Sequence, residues 1–388
     1  MRFEFATATR IVFGPGVRRE AAAAAAVLGR RALLVTGATP ERVSGCLAGM
    51  PLVPFAVPGE PEIETARRGV ALARAEGCDV VIAIGGGSAI DAGKAIAALL
   101  TNPGDPLEYL EVIGRGQPLE RAPAPFIAMP TTAGTGSEVT RNAVLGSREH
   151  RVKASLRSER MLPRLALIDP ELALRLPASI SASTGLDALT QLIEPYVSAR
   201  ANAMTDLFCV EGMQRAARAL PRVWEHTGDM EARTDMAWAA LLGGLALANA
   251  GLGAVHGFAA PIGGMFPAPH GAVCAALLPH AMAINVAALR TRQEKADSDQ
   301  RSAVSQALER YERVARLLTE RLQATADDGI RWVGALCRKL EIPPLRSYGL
   351  SESDLAMLVD KAARSSSMKG NPIVLEPGEL HEIAARAL

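Results

Sequence analysis

The sequence lacks an excess of charge, a long apolar run and a recognisable secretion signal. Its 388 residues carry a formal net charge of +1, which gives no strong field for nucleic acid or an anionic membrane. No stretch reaches the ~20 apolar residues that a transmembrane helix needs. The N-terminal segment has no charged region followed by an apolar one, as a secretion signal would. We therefore expect a soluble, cytoplasmic protein that binds neither nucleic acid nor a membrane.

Cysteines are few and far apart. Their odd number and the absence of a C-x-x-C pair favour reduced thiols in a reducing compartment over a disulfide framework. Most are expected to be small core residues. The five are Cys46, Cys78, Cys209, Cys274 and Cys337.

The chain is too long for one ordinary core, so two domains are expected. In the first half, short apolar runs alternate with helical stretches, which is typical of a parallel sheet covered by helices. The predicted strands are 31–36, 52–57, 80–84, 126–129 and 165–168, and a helix is predicted at 62–76. We assign residues 1–177 to an α/β domain.

After Pro177 the sequence becomes rich in Ala, Leu and Met, with few β-branched runs. This composition predicts an all-α domain over residues 178–388. The predicted helices are 181–198, 202–224, 231–250, 255–264, 272–290, 301–323, 327–340 and 352–365. The polar residues 291–303 are expected to form a mobile connection.

A glycine-rich turn follows the predicted strand at 80–84. Glycines let the backbone approach a ligand closely, and free N–H groups at a helix start suit a pyrophosphate. A helix is predicted to begin at Ser88, with Asp91 completing a capping box. Lys94, one turn further on, would add positive charge. The spacing matches neither a Walker A loop nor G-x-G-x-x-G.

A second loop rich in glycine and hydroxyl groups follows the strand at 126–129. It spans residues 130–140 and offers many hydrogen-bond donors for phosphates and ribose. Because carboxyl ends of parallel strands share one edge of a sheet, both loops are expected to face the same crevice. Together they favour a dinucleotide site.

Three residues of the predicted all-α domain, Asp187, His256 and His270, suggest a metal site there. Asp187 and Gln191 are four residues apart on a predicted helix and so share a face. His256 and His270 each precede a glycine in apolar surroundings. A carboxylate and two imidazoles are a minimal ligand set for Zn²⁺ or Fe²⁺ with an open position. Such a cation can polarise a substrate oxygen during hydride transfer.

Taken together, these segments resemble the iron-containing (group III) alcohol dehydrogenase family. The motifs that carry the resemblance are GGGSAIDAGK (85–94), PTTAGTGSEVT (130–140), DPEL (169–172), GLDALTQLIEPYVS (185–198) and VHGFAAPIGGMFPAPHG (255–271). They occur in the family's order and cover most of the chain. The resemblance implies the dehydroquinate synthase-like fold of that family, a homodimer, and reversible oxidation of small alcohols by NAD or NADP with Fe²⁺. The 3–13 segment is a candidate for pairing between subunits.

The resemblance also implies specific site residues. Cofactor contacts would fall on Gly86, Gly87, Ser88, Asp91, Thr131, Thr132, Ser137 and Lys153. Metal ligands would be Asp187, His256 and His270, with Gln191 at the fourth ligand position.

The chain departs from the family at three positions. Gln191 replaces a usual histidine, and an amide oxygen is a poorer ligand for Fe²⁺ or Zn²⁺ than imidazole. Ala260 stands where a further histidine is common, so any proton relay through that histidine is absent. Gly37, a cofactor-binding position after the first strand, is Asp in many NAD-preferring members. Without this aspartate there is no carboxylate to repel the 2′-phosphate of NADP. Arg42 is also near in sequence, and both features favour NADP.

The expected function is a metal-dependent NAD(P) alcohol dehydrogenase or aldehyde reductase. A maleylacetate reductase-like, metal-independent enzyme is the main alternative, kept open by Gln191 and opposed by Asp187 and the two histidines. A dehydroquinate-synthase-type lyase would need a basic pocket for a phosphorylated acid, and no such cluster accompanies Asp187. A non-catalytic nucleotide-binding protein is the remaining alternative.

Overall fold

The computed structural model describes residues 2–38, 44–295 and 298–388. The described chain divides into two compact units, Glu4–Arg175 and a second unit that contains Leu176–Leu388. Arg42 lies outside the described residues, so its predicted role near the cofactor has no structural counterpart here.

The first unit is built on a parallel sheet. Among the described residues, six strands pair in the order β1-β8-β5-β4-β2-β3, and every pairing is parallel. Strands β6 and β7 form a separate antiparallel hairpin. The strands are β1 (Ile11–Phe13), β2 (Ala32–Thr36), β3 (Leu52–Ala56), β4 (Val80–Gly85), β5 (Phe126–Pro130), β6 (Asn142–Ser147), β7 (Val152–Arg157) and β8 (Leu165–Ile168).

Helices cover this sheet on both faces. The central strand β4 is buried along its whole length, and separate apolar clusters pack against the two faces. This explains why its sequence is continuously apolar rather than alternating. The helices of this unit are α1 (Ala21–Leu28), α2 (Ile63–Ala75), α3 (Gly87–Thr101) and α4 (Pro106–Tyr109).

The second unit is helical. Its helices are α5 (Ala178–Val197), α6 (Ala203–Glu225), α7 (Met230–Ala250), α8 (Ala254–Met265), α9 (His270–Lys295), α10 (Ser298–Thr319), α11 (Ala326–Lys339), α12 (Leu355–Ala363) and α13 (Pro377–Arg386). Helix α5 packs against α6, α7 and α9, and most of its residues are buried. Side chains on α5 therefore point into the interior of this unit.

The predicted α/β and all-α architecture is confirmed. The connection predicted at 291–303 is helical where the structure describes it, and residues 296–297 lie outside the described residues. Helix α9 continues to Lys295, and α10 begins at Ser298. The polar side chains have partners: Arg292 donates to Glu379 at 2.7 Å, and Gln293 donates to Ser305 at 2.8 Å. These two polar residues therefore lie on a helix and form hydrogen bonds with neighbouring helices.

Helix α9 is long and apolar enough to meet a simple criterion for crossing a membrane. Of its most apolar window, 78% is buried inside the protein. A bent pair, α7 with α8, meets the same criterion only if counted as one span. Such burial is typical of core helices.

Candidate metal centre and cofactor loops

Three helices bring the predicted metal ligands together in the second unit. Asp187 and Gln191 lie one turn apart on α5, His256 lies in the first turn of α8, and His270 begins α9. The start of α8 is fixed from outside the helix, because the backbone N–H of Val255 donates to Glu194 at 2.7 Å.

Four donor atoms form a tight cluster, the metal cluster of Asp187, His256, His270 and Cys274. All four lie within 4.8 Å of one another. Asp187 Oδ1 is 3.3 Å from His256 Nε2 and 3.8 Å from His270 Nε2. Cys274 Sγ is 3.6 Å from His270 Nε2 and 3.8 Å from His256 Nε2. The cluster combines oxygen, nitrogen and sulfur donors.

Glu194 fixes the orientation of His256. Its Oε2 lies 2.7 Å from His256 Nδ1, while its Oε1 accepts the Val255 N–H. A carboxylate accepts, so Nδ1 carries the proton in this pair. In the neutral ring, Nε2 then has its lone pair directed at the cluster, which is the arrangement common around metal-bound histidines.

Two of the buried side-chain oxygens without a hydrogen-bond partner among the described residues lie on α5, beside the predicted metal site. They are Asp187 Oδ1 and Gln191 Oε1, and the two side chains are only 1% and 2% exposed. An unsatisfied buried oxygen is costly and calls for a ligand, ion or water. Asp187 Oδ1 belongs to the cluster, so the residues present fit a bound cation.

The electrostatics of the cluster also favour a cation. Burial opposes the charge of Asp187, but His270 and His256 outweigh it and hold the pKa of Asp187 below its usual value. Burial lowers the pKa of His256, because it disfavours the protonated ring. Cys274, Asp187 and Glu194 outweigh this effect and raise the pKa of His256 well above its usual value. The pKa of His270 is raised in the same way, against burial, chiefly by Cys274 and Asp187. The pocket therefore stabilises positive charge.

Sequence reasoning missed two residues here, Cys274 and Glu194. Both were detectable from spacing, because Cys274 follows His270 by four residues and Glu194 follows Asp187 by seven, each on the same helix face. From the sequence, a lone cysteine among alanines, such as Cys274, is predicted to be a small core residue.

The loops predicted to bind the cofactor meet at one edge of the sheet in the first unit. Strands β5, β4 and β2 are neighbours, so the segments after them start side by side. Thr131 N–H donates to the Gly85 carbonyl at 2.9 Å. Gly37, Gly86, Gly87, Ser88, Thr131 and Thr132 all lie in the segments that follow these strand ends.

Helix α3 begins one residue earlier than predicted, and the capping box is wrong. Gly86 is the N-cap residue, and no described side chain caps it. Asp91 is held elsewhere: its Oδ2 accepts the Val144 N–H at 3.0 Å, and its Oδ1 is 3.1 Å from Lys94 Nζ. Gly87 is needed for close approach, since a Cβ there would lie 2.8 Å from Thr135 Oγ1.

Lys94 is not placed to add charge beside a phosphate. It is fully buried, and its Nζ donates to Thr140 Oγ1 at 2.9 Å and to the Asn142 carbonyl. These hydrogen bonds connect α3 to the end of the loop at 130–140. Ser137 is also buried, in a short 3₁₀ turn, and Lys153 on β7 forms an ion pair with Glu60.

Comparisons with known proteins agree with this arrangement. The family model described as iron-containing alcohol dehydrogenase matches residues 8–170, and its C-terminal counterpart matches residues 181–388. The chain belongs to the iron-containing alcohol dehydrogenase family. It is therefore an oxidoreductase that acts on CH–OH groups.

Relatives and a solved structure match along most of the dehydrogenase. It is 35% identical to 1,3-propanediol dehydrogenase of Klebsiella pneumoniae over 331 residues, 84% of this chain and 79% of the relative. It is 33% identical to 1,3-propanediol dehydrogenase of Citrobacter freundii over 376 residues, 92% of each chain. A crystal structure of 1,3-propanediol oxidoreductase superposes with a TM-score of 0.89 at 31% identity, covering 100% of both chains.

Proposed function

We propose that the protein is a metal-dependent NAD(P) alcohol dehydrogenase that interconverts a small alcohol and its aldehyde. The observation that carries the proposal is the metal cluster, with the buried, unpartnered Oδ1 of Asp187 within 3.8 Å of both imidazoles. Family membership favours Fe²⁺, and Zn²⁺ suits the same donors.

Each residue has a separate task in this proposal. Asp187 supplies negative charge, and His256 and His270 supply nitrogen donors. Glu194 holds the proton of His256 on Nδ1, so that Nε2 stays available. The bound cation would supply Lewis-acid polarisation of the substrate oxygen, and the nicotinamide would accept or donate the hydride.

The glycine-rich segments would bind the dinucleotide. The free N–H groups at the start of α3 suit its pyrophosphate, and Gly86 and Gly87 let it approach the backbone. Thr131 and Thr132 offer hydroxyl groups beside this helix start. Of the other predicted contacts, Asp91 and Lys153 also have partners within the protein, and we propose them, with Ser137, as further contacts of the dinucleotide.

We propose residues 1–177 as the cofactor-binding domain and residues 178–388 as the metal- and substrate-binding domain. We also propose a cytoplasmic homodimer. The short edge strand β1 offers a candidate pairing surface, since an edge strand presents backbone groups that can pair with a second chain.

The test is NADH and NADPH oxidation with a panel of short aldehydes, before and after treatment with a chelator. The proposal predicts turnover that is lost on chelation and restored by Fe²⁺ or Zn²⁺. Asp187→Asn should lack turnover, whereas Asp360→Asn, an exposed control on α12, should retain it. Turnover that resists chelation would favour the metal-independent reductase and reassign Asp187, His256 and His270 to substrate binding.

A further inference from the structure

Cys274 lies in the metal cluster although no sequence motif pointed to it. The residue is one helical turn after His270 on α9, so both side chains leave the same face of the helix. Its side chain is fully buried, and its sulfur contacts the Nε2 atoms of both histidines. A buried thiol that only filled space would need no such neighbours.

Four of the six distances between the donor atoms are close to the edges of a tetrahedral coordination site, and the other two are within 4.8 Å. For bond lengths of about 2.3 Å to sulfur and about 2.1 Å to nitrogen or oxygen, a tetrahedron has edges of about 3.6 Å between sulfur and nitrogen and about 3.4 Å between nitrogen and oxygen. The corresponding distances here are 3.6 and 3.8 Å for Cys274 with the histidines, and 3.3 and 3.8 Å for Asp187 with the histidines.

We propose that the Cys274 thiolate, and not the Gln191 amide, is the fourth protein ligand of the metal, and that the site consequently selects Zn²⁺ over Fe²⁺. This inference rests on the proposed function, because it assumes that the cluster holds the catalytic cation.

Ligand chemistry supports this choice. Thiolate is a soft ligand that suits zinc, whereas an amide oxygen suits hard cations such as Mg²⁺ and Ca²⁺. An Asp/His/His/Cys set provides four protein donors, the number found in tetrahedral zinc sites, and zinc can expand to five ligands during reaction. A substrate oxygen can therefore still join the site.

The test uses Co²⁺ as a spectroscopic probe in the chelated, full-length protein. A thiolate bound to Co²⁺ gives an intense near-ultraviolet charge-transfer band, while oxygen and nitrogen ligands alone give only weak ligand-field bands. The variants are Cys274→Ala, Cys274→Ser and the matched control Cys209→Ala, since Cys209 is equally buried on α6, outside the cluster.

The wild type and Cys209→Ala should show the charge-transfer band at one Co²⁺ per chain. Both Cys274 variants should lose it while keeping ligand-field bands from Asp187, His256 and His270. Their Zn²⁺ affinity should fall by at least about tenfold, and their Fe²⁺ affinity by less.

A wild-type protein that binds Co²⁺ without the charge-transfer band would overturn the role of Cys274 and leave the proposed function standing. A band that survives in either folded Cys274 variant would do the same. Failure of the wild type to bind any Co²⁺ would overturn both this inference and the metal-dependent function.

Discussion

Glu194 is the residue on which the orientation of His256 depends. Each of its oxygens receives one donor, the His256 ring or the Val255 N–H, at 2.7 Å. A glutamine has a single oxygen, so its NH₂ group would face one of these donors. Since such orienting partners typically change metal affinity by about 10–100-fold, Glu194→Gln should weaken metal binding by that factor.

Competition with a chelating indicator measures this effect. Glu211→Gln is the control, because Glu211 lies on α6 and forms an exposed ion pair with Arg215. Equal metal affinity in the wild type and Glu194→Gln would mean that Glu194 does not orient the ligand.

Glu138 should make the stability of the first unit depend on pH. Burial raises its pKa to about 7 from 4.5, although its backbone hydrogen bond and Lys94 act to lower it. A carboxyl whose folded pKa is raised stabilises the fold below its unfolded pKa, and that stability is lost as the pH rises through the folded pKa. Glu138 therefore favours folding at acidic pH and opposes it above neutrality.

The measurement is the free energy of unfolding of the wild type minus that of Glu138→Gln, which does not titrate. Between pH 4.5 and about 7 this difference should fall by on the order of 3 kcal/mol, and it should be level above that range. A difference that stays flat over the whole range would contradict the assigned pKa.

Individual site residues were predictable where their chemistry is distinctive. Asp187, His256 and His270 stand out as polar side chains in apolar segments, and the structure brings them together. Cys274 and Glu194 did not stand out, because a thiol resembles a small core residue and a glutamate on a helix resembles a solvated one. Their roles depend on tertiary contacts between α5, α8 and α9.

At the scale of elements, buried strands were the most predictable part. A strand covered on both faces needs an unbroken apolar run, and 80–84 and 165–168 have one. The β6–β7 hairpin was missed, since β6 alternates between buried and half-buried residues over a short polar stretch. Helix α13 was missed as well, because Pro377 and Gly378 open it.

Gly37, directly after β2, is expected to affect the choice between NAD and NADP. A Cβ built on Gly37 meets no atom of the described residues within 4 Å, so an aspartate fits there without strain on these neighbours. Its carboxylate would repel the 2′-phosphate of NADP and could bond to the ribose of NAD. Gly37→Asp should lower the ratio of kcat/KM for NADP to that for NAD by at least about tenfold, or ~1.4 kcal/mol.

Steady-state rates with both cofactors, compared with the neutral variant Gly37→Asn, measure this ratio. The neutral variant should change the ratio much less, because it has nearly the same size and no charge. If Gly37→Asp lowers activity equally with NAD and NADP, the adenosine ribose does not bind beside residue 37.

At the scale of the whole molecule, the family match spans residues 8–170 and 181–388, and therefore includes both units. The fold class was predictable because the two halves differ in texture: apolar runs and glycine-rich turns in the first, long Ala- and Leu-rich stretches in the second. We propose that the dinucleotide binds to the sheet unit and the cation to the helical unit.

Metal content per chain tests the central claim most directly. It should be determined by elemental analysis on protein purified anaerobically without chelator, for the wild type and Asp187→Asn. We expect close to one transition-metal ion per wild-type chain and a large loss in Asp187→Asn, because Asp187 supplies the carboxylate of the cluster. A wild-type protein that is active and free of metal would contradict it.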